Sequence, residues 1–359
     1  MMTADISCVP VLISMGALLG RLTPTQMTIM ALIQTAIGTF VEYVFFNIMH
    51  CNDGGRALLT HAFGAYFGLA CSLFTRPIHV ITRNGETRTI GENEDVEESD
   101  IQHSELFSMI GSLFLWIFFP SFNAAARQPE DARHRAIMNT YLALTSCTVV
   151  TFLMSSLSDK EGRFNMMHIQ SSPLAGGVAI GAVANAILYP WHSLAIGFIA
   201  GVVSVFGHTM LQPFLRRFFK VADTCGVNNL HGLPGLISGI SSIVIAVAYE
   251  PKEYGSSLYT IYPYFRGGPK RGDRDLFAQA MFQLYGTGFV FGSAVIGGAI
   301  TGLILRIPIL HQLTDEYADK VEREGFFFGH PDAEAEWRKK WAERELQLAL
   351  RDPHNSVIF

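Results

Sequence analysis

Two histidines, His61 and His231, each stand eight residues after an aspartate, Asp53 and Asp223, inside long apolar stretches. The segments read Asp53-Gly-Gly-Arg-Ala-Leu-Leu-Thr-His61 and Asp223-Thr-Cys-Gly-Val-Asn-Asn-Leu-His231. An ionisable side chain inside a membrane helix is costly, and by default it faces a pore or a partner. A neutral imidazole both donates and accepts a hydrogen bond. Two of them in a narrow apolar lumen can share one proton and offer a polar ledge to a small uncharged solute. Such a lumen suits NH3, whose charged form sheds its proton before crossing. It excludes K+ and Na+, which cannot shed charge and find no carbonyl ring to replace their water. CO2 is small and neutral but has no donor for the histidines, which makes it a second candidate.

Both aspartates stand at a predicted helix start with glycine close by. There a carboxylate caps the first backbone N–H groups and favours the helix dipole. Each histidine then falls two turns further in, roughly 12 Å along the axis, near mid-depth. One such spacing is weak evidence, and a lone histidine on an apolar face is more often a hydrogen-bonded packing residue. The same constellation twice in one chain points to two related halves of opposite membrane topology that aim two imidazoles at one place.

The rest of the chain must position them in a bilayer. Of its 359 residues 49% are hydrophobic and only 16% charged, against about 25% charged in a soluble domain. The hydrophobicity comes in blocks of about 20 residues, the length that crosses roughly 30 Å of hydrocarbon. Nine spans are predicted: 4–20, 24–48, 55–75, 104–126, 135–157, 165–189, 192–215, 228–249 and 275–307. The expected fold is therefore an all-α polytopic helix bundle with inverted repeats. Thr23-Pro24 suits a helix start, a capping hydroxyl before a proline at the first helical position. Small-residue runs such as Gly197-Phe-Ile-Ala-Gly201 and Gly298-Ala-Ile-Thr-Gly302 let helix backbones approach closely.

The five cysteines, Cys8, Cys51, Cys71, Cys147 and Cys225, are scattered, with no zinc spacing and no disulfide framework. No metal or other cofactor is expected. The chain lacks HExxH, GxSxG and facing catalytic aspartates, so an intramembrane hydrolase is disfavoured. No basic stripe suggests nucleic acid. Glu42 is a lone acid in the second span, read as a hydrogen-bonded packing residue or a cation-attracting site. His168 is read as a structural residue at a helix end, and His192 and His208 as loop or packing positions. Trp116, Phe114 and Phe118 are read as packing, and the acidic run Gly91–Asp100, within a polar loop from Arg76 to Gln102, as mobile and solvated.

Four segments resemble the Rh glycoproteins of the ammonium transporter superfamily. They are His61-Ala-Phe-Gly-Ala-Tyr-Phe-Gly-Leu69, Leu113-Phe-Leu-Trp-Ile-Phe-Phe-Pro-Ser-Phe-Asn123, His168-Ile-Gln-Ser-Ser-Pro-Leu-Ala-Gly-Gly-Val178 and Asp223 to Gly235. The resemblance runs from Ile6 to Arg306. It implies ammonia/ammonium as substrate and a homotrimer of bundles, each subunit with its own pore. His61 and His231 match the family's twin pore histidines, and Asp53 and Asp223 its paired helix-start aspartates. Phe122 matches one phenylalanine of the external gate. The best match to the companion phenylalanine is Ile6, a departure that implies a looser gate. Phe119 stands where relatives often carry tryptophan. The family has three more helices before the point where this sequence begins, so residues 1–307 read as an N-terminally incomplete transmembrane domain.

Residues 308–359 read as a soluble tail, with an amphipathic helix over Pro331–Arg351. Its Arg338, Lys339, Lys340 and Arg344 favour a cytoplasmic C-terminus, and the expected location is the plasma membrane. The alternative to a channel is a non-transporting membrane scaffold or assembly subunit, or a truncated copy that does not conduct.

Overall fold

The computed structural model describes residues 2–19, 21–75, 78–81, 87–90, 98–125, 130–270, 272–307 and 310. The predicted tail helix and most of the acidic run after Gly91 lie outside them. The chain is a bundle of helices. In order they are α1 (Met2–Leu18), α2 (Pro24–Tyr43), α3 (Phe63–Phe74), α4 (Glu98–Asn123), α5 (Glu130–Ser158), α6 (Met166–Ile180), α7 (Pro190–Phe206), α8 (Gln212–Phe214), α9 (Leu233–Ala248), α10 (Leu258–Ile261) and α11 (Leu276–Ile304). With the π turns that extend several of them, seven described helices are long and apolar enough to cross a bilayer. Helices α1 and α6, at 17 and 15 residues, are shorter. Together these nine match the nine predicted spans.

Local chemistry sets the ends. Helix α2 opens as its sequence predicts. The Thr23 hydroxyl accepts from the Gln26 N–H, the Gln26 side chain accepts from the Thr23 N–H, and Pro24 takes the first position. Such a capping box satisfies two orphan donors at once. Gln26 also donates to the Leu305 carbonyl at 3.0 Å, which ties the start of α2 to the end of α11.

Two predicted boundaries shift. The span expected over 165–189 stops at Ile180, followed by a 3-10 turn at Gly181–Val183. The Gly181 carbonyl instead receives the Gly55 N–H at 2.7 Å, and a Cβ on Gly181 would sit 2.9 Å from the Ala57 Cβ. Helix α6 ends because another segment takes over its carbonyl. Hydropathy alone cannot register this. The polar loop after the third span contains an antiparallel two-stranded hairpin, Ile78–Ile81 with Thr87–Ile90, ahead of the acidic run. Helix α4 starts at Glu98, before the predicted 104.

Small residues seat the helices. A Cβ on Gly197 of α7 would lie 2.2 Å from the Ala143 carbonyl oxygen of α5, and one on Gly298 of α11 would lie 2.2 Å from the Phe67 carbonyl oxygen of α3. Only glycine permits that approach. Outward faces are apolar: Leu32, Phe107, Phe218 and Phe277 are all exposed. In water such a surface would be an aggregation liability; here it is the surface a bilayer covers. All five cysteines are free thiols.

Candidate functional site

Helices α3 and α9 both begin with a π turn, at Ala57–Ala62 and Asn228–Gly232, and each turn carries one of the two histidines. An α-helix leaves four N–H groups unpaired at its start, and the wider i→i+5 spacing of a π turn leaves one more. The aspartates meet this demand. Asp53 Oδ2 accepts the N–H groups of Leu58 and Leu59, both at 3.0 Å. Asp223 accepts those of Val227 at 2.8 Å and Asn228 at 2.9 Å. The approach to each π turn also has the same backbone shape. A left-handed residue lies three before and three after each aspartate: His50 and Arg56 around Asp53, Lys220 and Gly226 around Asp223. Their φ values are 48° and 57° in the first segment, 56° and 67° in the second.

The two starts pass each other in opposite directions. A Cβ on Gly235 would meet Ala62, and one on Gly232 would meet Tyr66. At the crossing His61 Nδ1 lies 3.0 Å from His231 Nδ1, with the ring planes 6° apart. The ring centres are 5.1 Å apart, too far for face-to-face stacking at that angle; the rings meet edge to edge in nearly one plane. One imidazole donates through Nδ1 and the other accepts, so the two hold opposite tautomers. His61 is buried, and its Nε2 has no hydrogen-bond partner.

Both rings line a cavity of about 1010 Å3, walled by Val9, Leu12, Ile13, Leu115, Phe118, Leu174 and Leu230 among others. Phe119 and Phe122 also line it, each with its ring centre 5.8 Å from that of His61. An apolar cavity with few convergent polar groups suits a small molecule. Among the described residues no cluster of His, Cys, Asp and Glu could hold a metal ion.

The Ammonium Transporter Family profile matches residues 1–324. The chain belongs to the ammonium transporter family. Its relatives place it in the Rh branch. It is 38% identical over 323 residues to ammonium transporter Rh type B of Rattus norvegicus, covering 89% of this chain and 68% of that protein. It is 40% identical over 317 residues to Rh type A of Mus musculus, covering 88% and 64%. The chain thus spans about two thirds of the length of these relatives. The Nitrosomonas europaea Rh50 structure, described as bearing on conduction by the Rhesus family of channels, superposes with a TM-score of 0.71 at 31% identity. That match covers 96% of this chain and 79% of that one. Saccharomyces cerevisiae Mep2 shares the fold, with a TM-score of 0.67 at 18% identity over 91% of this chain and 69% of that one. The protein is an integral membrane protein with an ammonium transporter fold.

The structure thus brings His61, His231 and Phe122 together, with Asp53 and Asp223 at the two helix starts. Ile6 lies apart from them. It borders a separate narrow cleft with Pro10, Gln34, Glu42 and Arg56, while Val9, Leu12 and Ile13 of the same helix face the cavity. The reason is helical phase: Ile6 shares a face with Pro10, four residues on. Glu42 is not a lone acid. Its Oε1 pairs with Arg56 Nη2 at 2.6 Å, and Arg56 is the left-handed residue ahead of the first π turn. Phe119 is closer to the chemistry than its sequence reading implies; its spacing of three from Phe122 puts both on one helix face. His208, read as packing, belongs to a polar network. Its Nδ1 meets Asn229 Nδ2 and its Nε2 meets Ser171 Oγ, each at 3.1 Å.

Proposed function

We propose that this protein conducts ammonia, recruited as ammonium and stripped of a proton before NH3 passes the His61 and His231 pair. The observation that carries the reading is two coplanar imidazoles joined at 3.0 Å on the wall of a large apolar cavity. A shared Nδ1 proton leaves one Nε2 as donor and the other as acceptor, so the pair offers both functions to a guest with N–H groups and a lone pair. The apolar wall makes a permanent cation expensive there. Asp53 and Asp223 act by holding the π turns, and through them the rings. Phe122 forms the gate with Phe119 as its companion, and Ile6 stands outside it. CO2 fits the cavity but gains no donor bond. The protein works without a cofactor and as a channel rather than an enzyme. The exposed apolar faces support seating in a bilayer and leave surface for assembly as a homotrimer; the location we assign is the plasma membrane, with the C-terminus in the cytoplasm on the strength of the basic residues of the tail.

Vesicles holding the full chain should show an ammonia-driven internal pH change faster than empty vesicles. His61→Ala and His231→Ala should each slow it at least tenfold, about 1.4 kcal/mol or more at the barrier. Wild-type rates equal to those of empty vesicles would sink the proposal.

A further inference from the structure

The same cavity carries a second polar ledge that the histidine pair does not use. Gln170 and Ser171, consecutive on α6, both line it. Gln170 is 8% exposed, and its Oε1 has no hydrogen-bond partner. Its Nε2 reaches only the Met167 sulfur, at 3.8 Å. Leaving a buried carbonyl oxygen unmatched is costly, so this acceptor awaits a donor.

The neighbouring hydroxyl is set up in the same sense. Asn229 Nδ2 can only donate, so His208 Nδ1 must accept from it. The His208 proton therefore sits on Nε2 and is given to Ser171 Oγ at 3.1 Å. The Ser171 hydrogen goes to the Met167 carbonyl. A hydroxyl oxygen accepts two bonds, so one acceptor site on Ser171 is left over. Asn229 is itself held by Gln212 Oε1 at 2.8 Å, which fixes the direction of the whole chain of bonds. The ledge therefore presents acceptors.

We propose that Gln170 and Ser171, braced by His208, form a second binding station for a small N–H donor, ammonium or methylammonium, distinct from the histidine pair. CO2, with no donor, cannot match those acceptors. The proposal rests on reading the cavity as a passage for ammonium and ammonia, and a binding measurement separates the two ideas. A ligand that binds only the folded state raises the melting midpoint.

The full chain in detergent is melted against increasing methylammonium chloride, with sodium chloride exchanged to hold ionic strength constant. A rise in the midpoint specific to methylammonium is expected. It should persist in His61→Ala and in His231→Ala. Gln170→Met should weaken the apparent affinity at least tenfold, and Gln170→Glu, which adds charge to the acceptor, should strengthen it. If Gln170→Met does not fold, the gain in Gln170→Glu decides. No methylammonium-specific rise in the wild type would overturn the proposal. So would a rise that Gln170→Met and Gln170→Glu both leave unchanged, or one abolished in the histidine variants. Vesicles that fail to conduct would sink the conduction reading and leave the melting result standing.

Discussion

The segments 50–61 and 220–231 build one device twice by different means. Both place left-handed residues on either side of an aspartate, cap a π turn with its carboxylate, and deliver a histidine to the same crossing. In the first, Asp53 is 2% exposed and the flanking Arg56 is clasped by Glu42. In the second, Asp223 is half-buried, and the π turn is latched through Asn229 to His208 and Gln212. Where the first segment bends at an arginine the second bends at Gly226. Backbone geometry is held in common while the side chains that enforce it are not. One half relies on burial and an ion pair, the other on a network of uncharged hydrogen bonds.

That contrast ranks the consequences of breaking each part. The largest effect is expected at Asp53. Asp53→Ala strips two charge-assisted bonds from a site water does not reach, at about 1.5–3 kcal/mol each. It should abolish the folded peak in size-exclusion chromatography. Asp223→Ala, nearer to solvent, should still fold but melt lower, with a cost of about 1–3 kcal/mol. Equal losses in the two variants would refute the asymmetry.

Next comes Gly226. An added Cβ there would lie 2.6 Å from His208 Cε1 at a left-handed φ. Gly226→Ala should cost about 1–3 kcal/mol from crowding and backbone strain together, read as a lowered melting midpoint. The mirror change is milder. Arg56→Gly relieves about 1 kcal/mol of left-handed strain and loses a half-buried ion pair worth a similar amount, so its midpoint should stay near the wild-type value. A drop as large as that of Gly226→Ala would show that the Glu42 clasp holds the first segment alone.

The smallest effect concerns His50, stacked on Tyr264 with ring centres 4.2 Å apart. Burial, then the charges of Lys270 and Arg274, hold its imidazole below the ordinary value of 6.5. The unfolded chain therefore binds a proton there more readily. The stability at stake is fully present above the ordinary value and is lost as pH falls from it toward the lowered one. His50→Gln should flatten the dependence of melting on pH below about 6.5.

The sequence made much of this legible. Spans follow from hydropathy because a bilayer enforces one length on every crossing helix. The α2 start follows from Thr23 and Pro24 because a cap is a local bond between near neighbours. The repeated Asp-to-His spacing marked both helix starts. Less legible was anything set by helical phase or by a distant partner. Ile6 faces a different cleft from Phe122, Glu42 finds its cation fourteen residues on, and His208 is drawn into a network by Ser171 and Asn229. The left-handed turns at Arg56 and Lys220 were hidden because neither residue type prefers that conformation, and the mild preference of histidine does not single out His50 among the chain's other histidines.

By itself, then, the sequence determined that this chain spans a membrane many times and carries two matched acid–imidazole segments. Those facts reside in composition and local spacing, which bind neighbours along the chain. Only the tertiary structure decided that the two imidazoles meet edge to edge, that phenylalanines crowd one of them, and that an unmatched amide oxygen faces the same cavity. Each of these depends on two helices crossing at one depth and one rotation. That relation is set by packing between small residues far apart in the chain, and no local pattern encodes it.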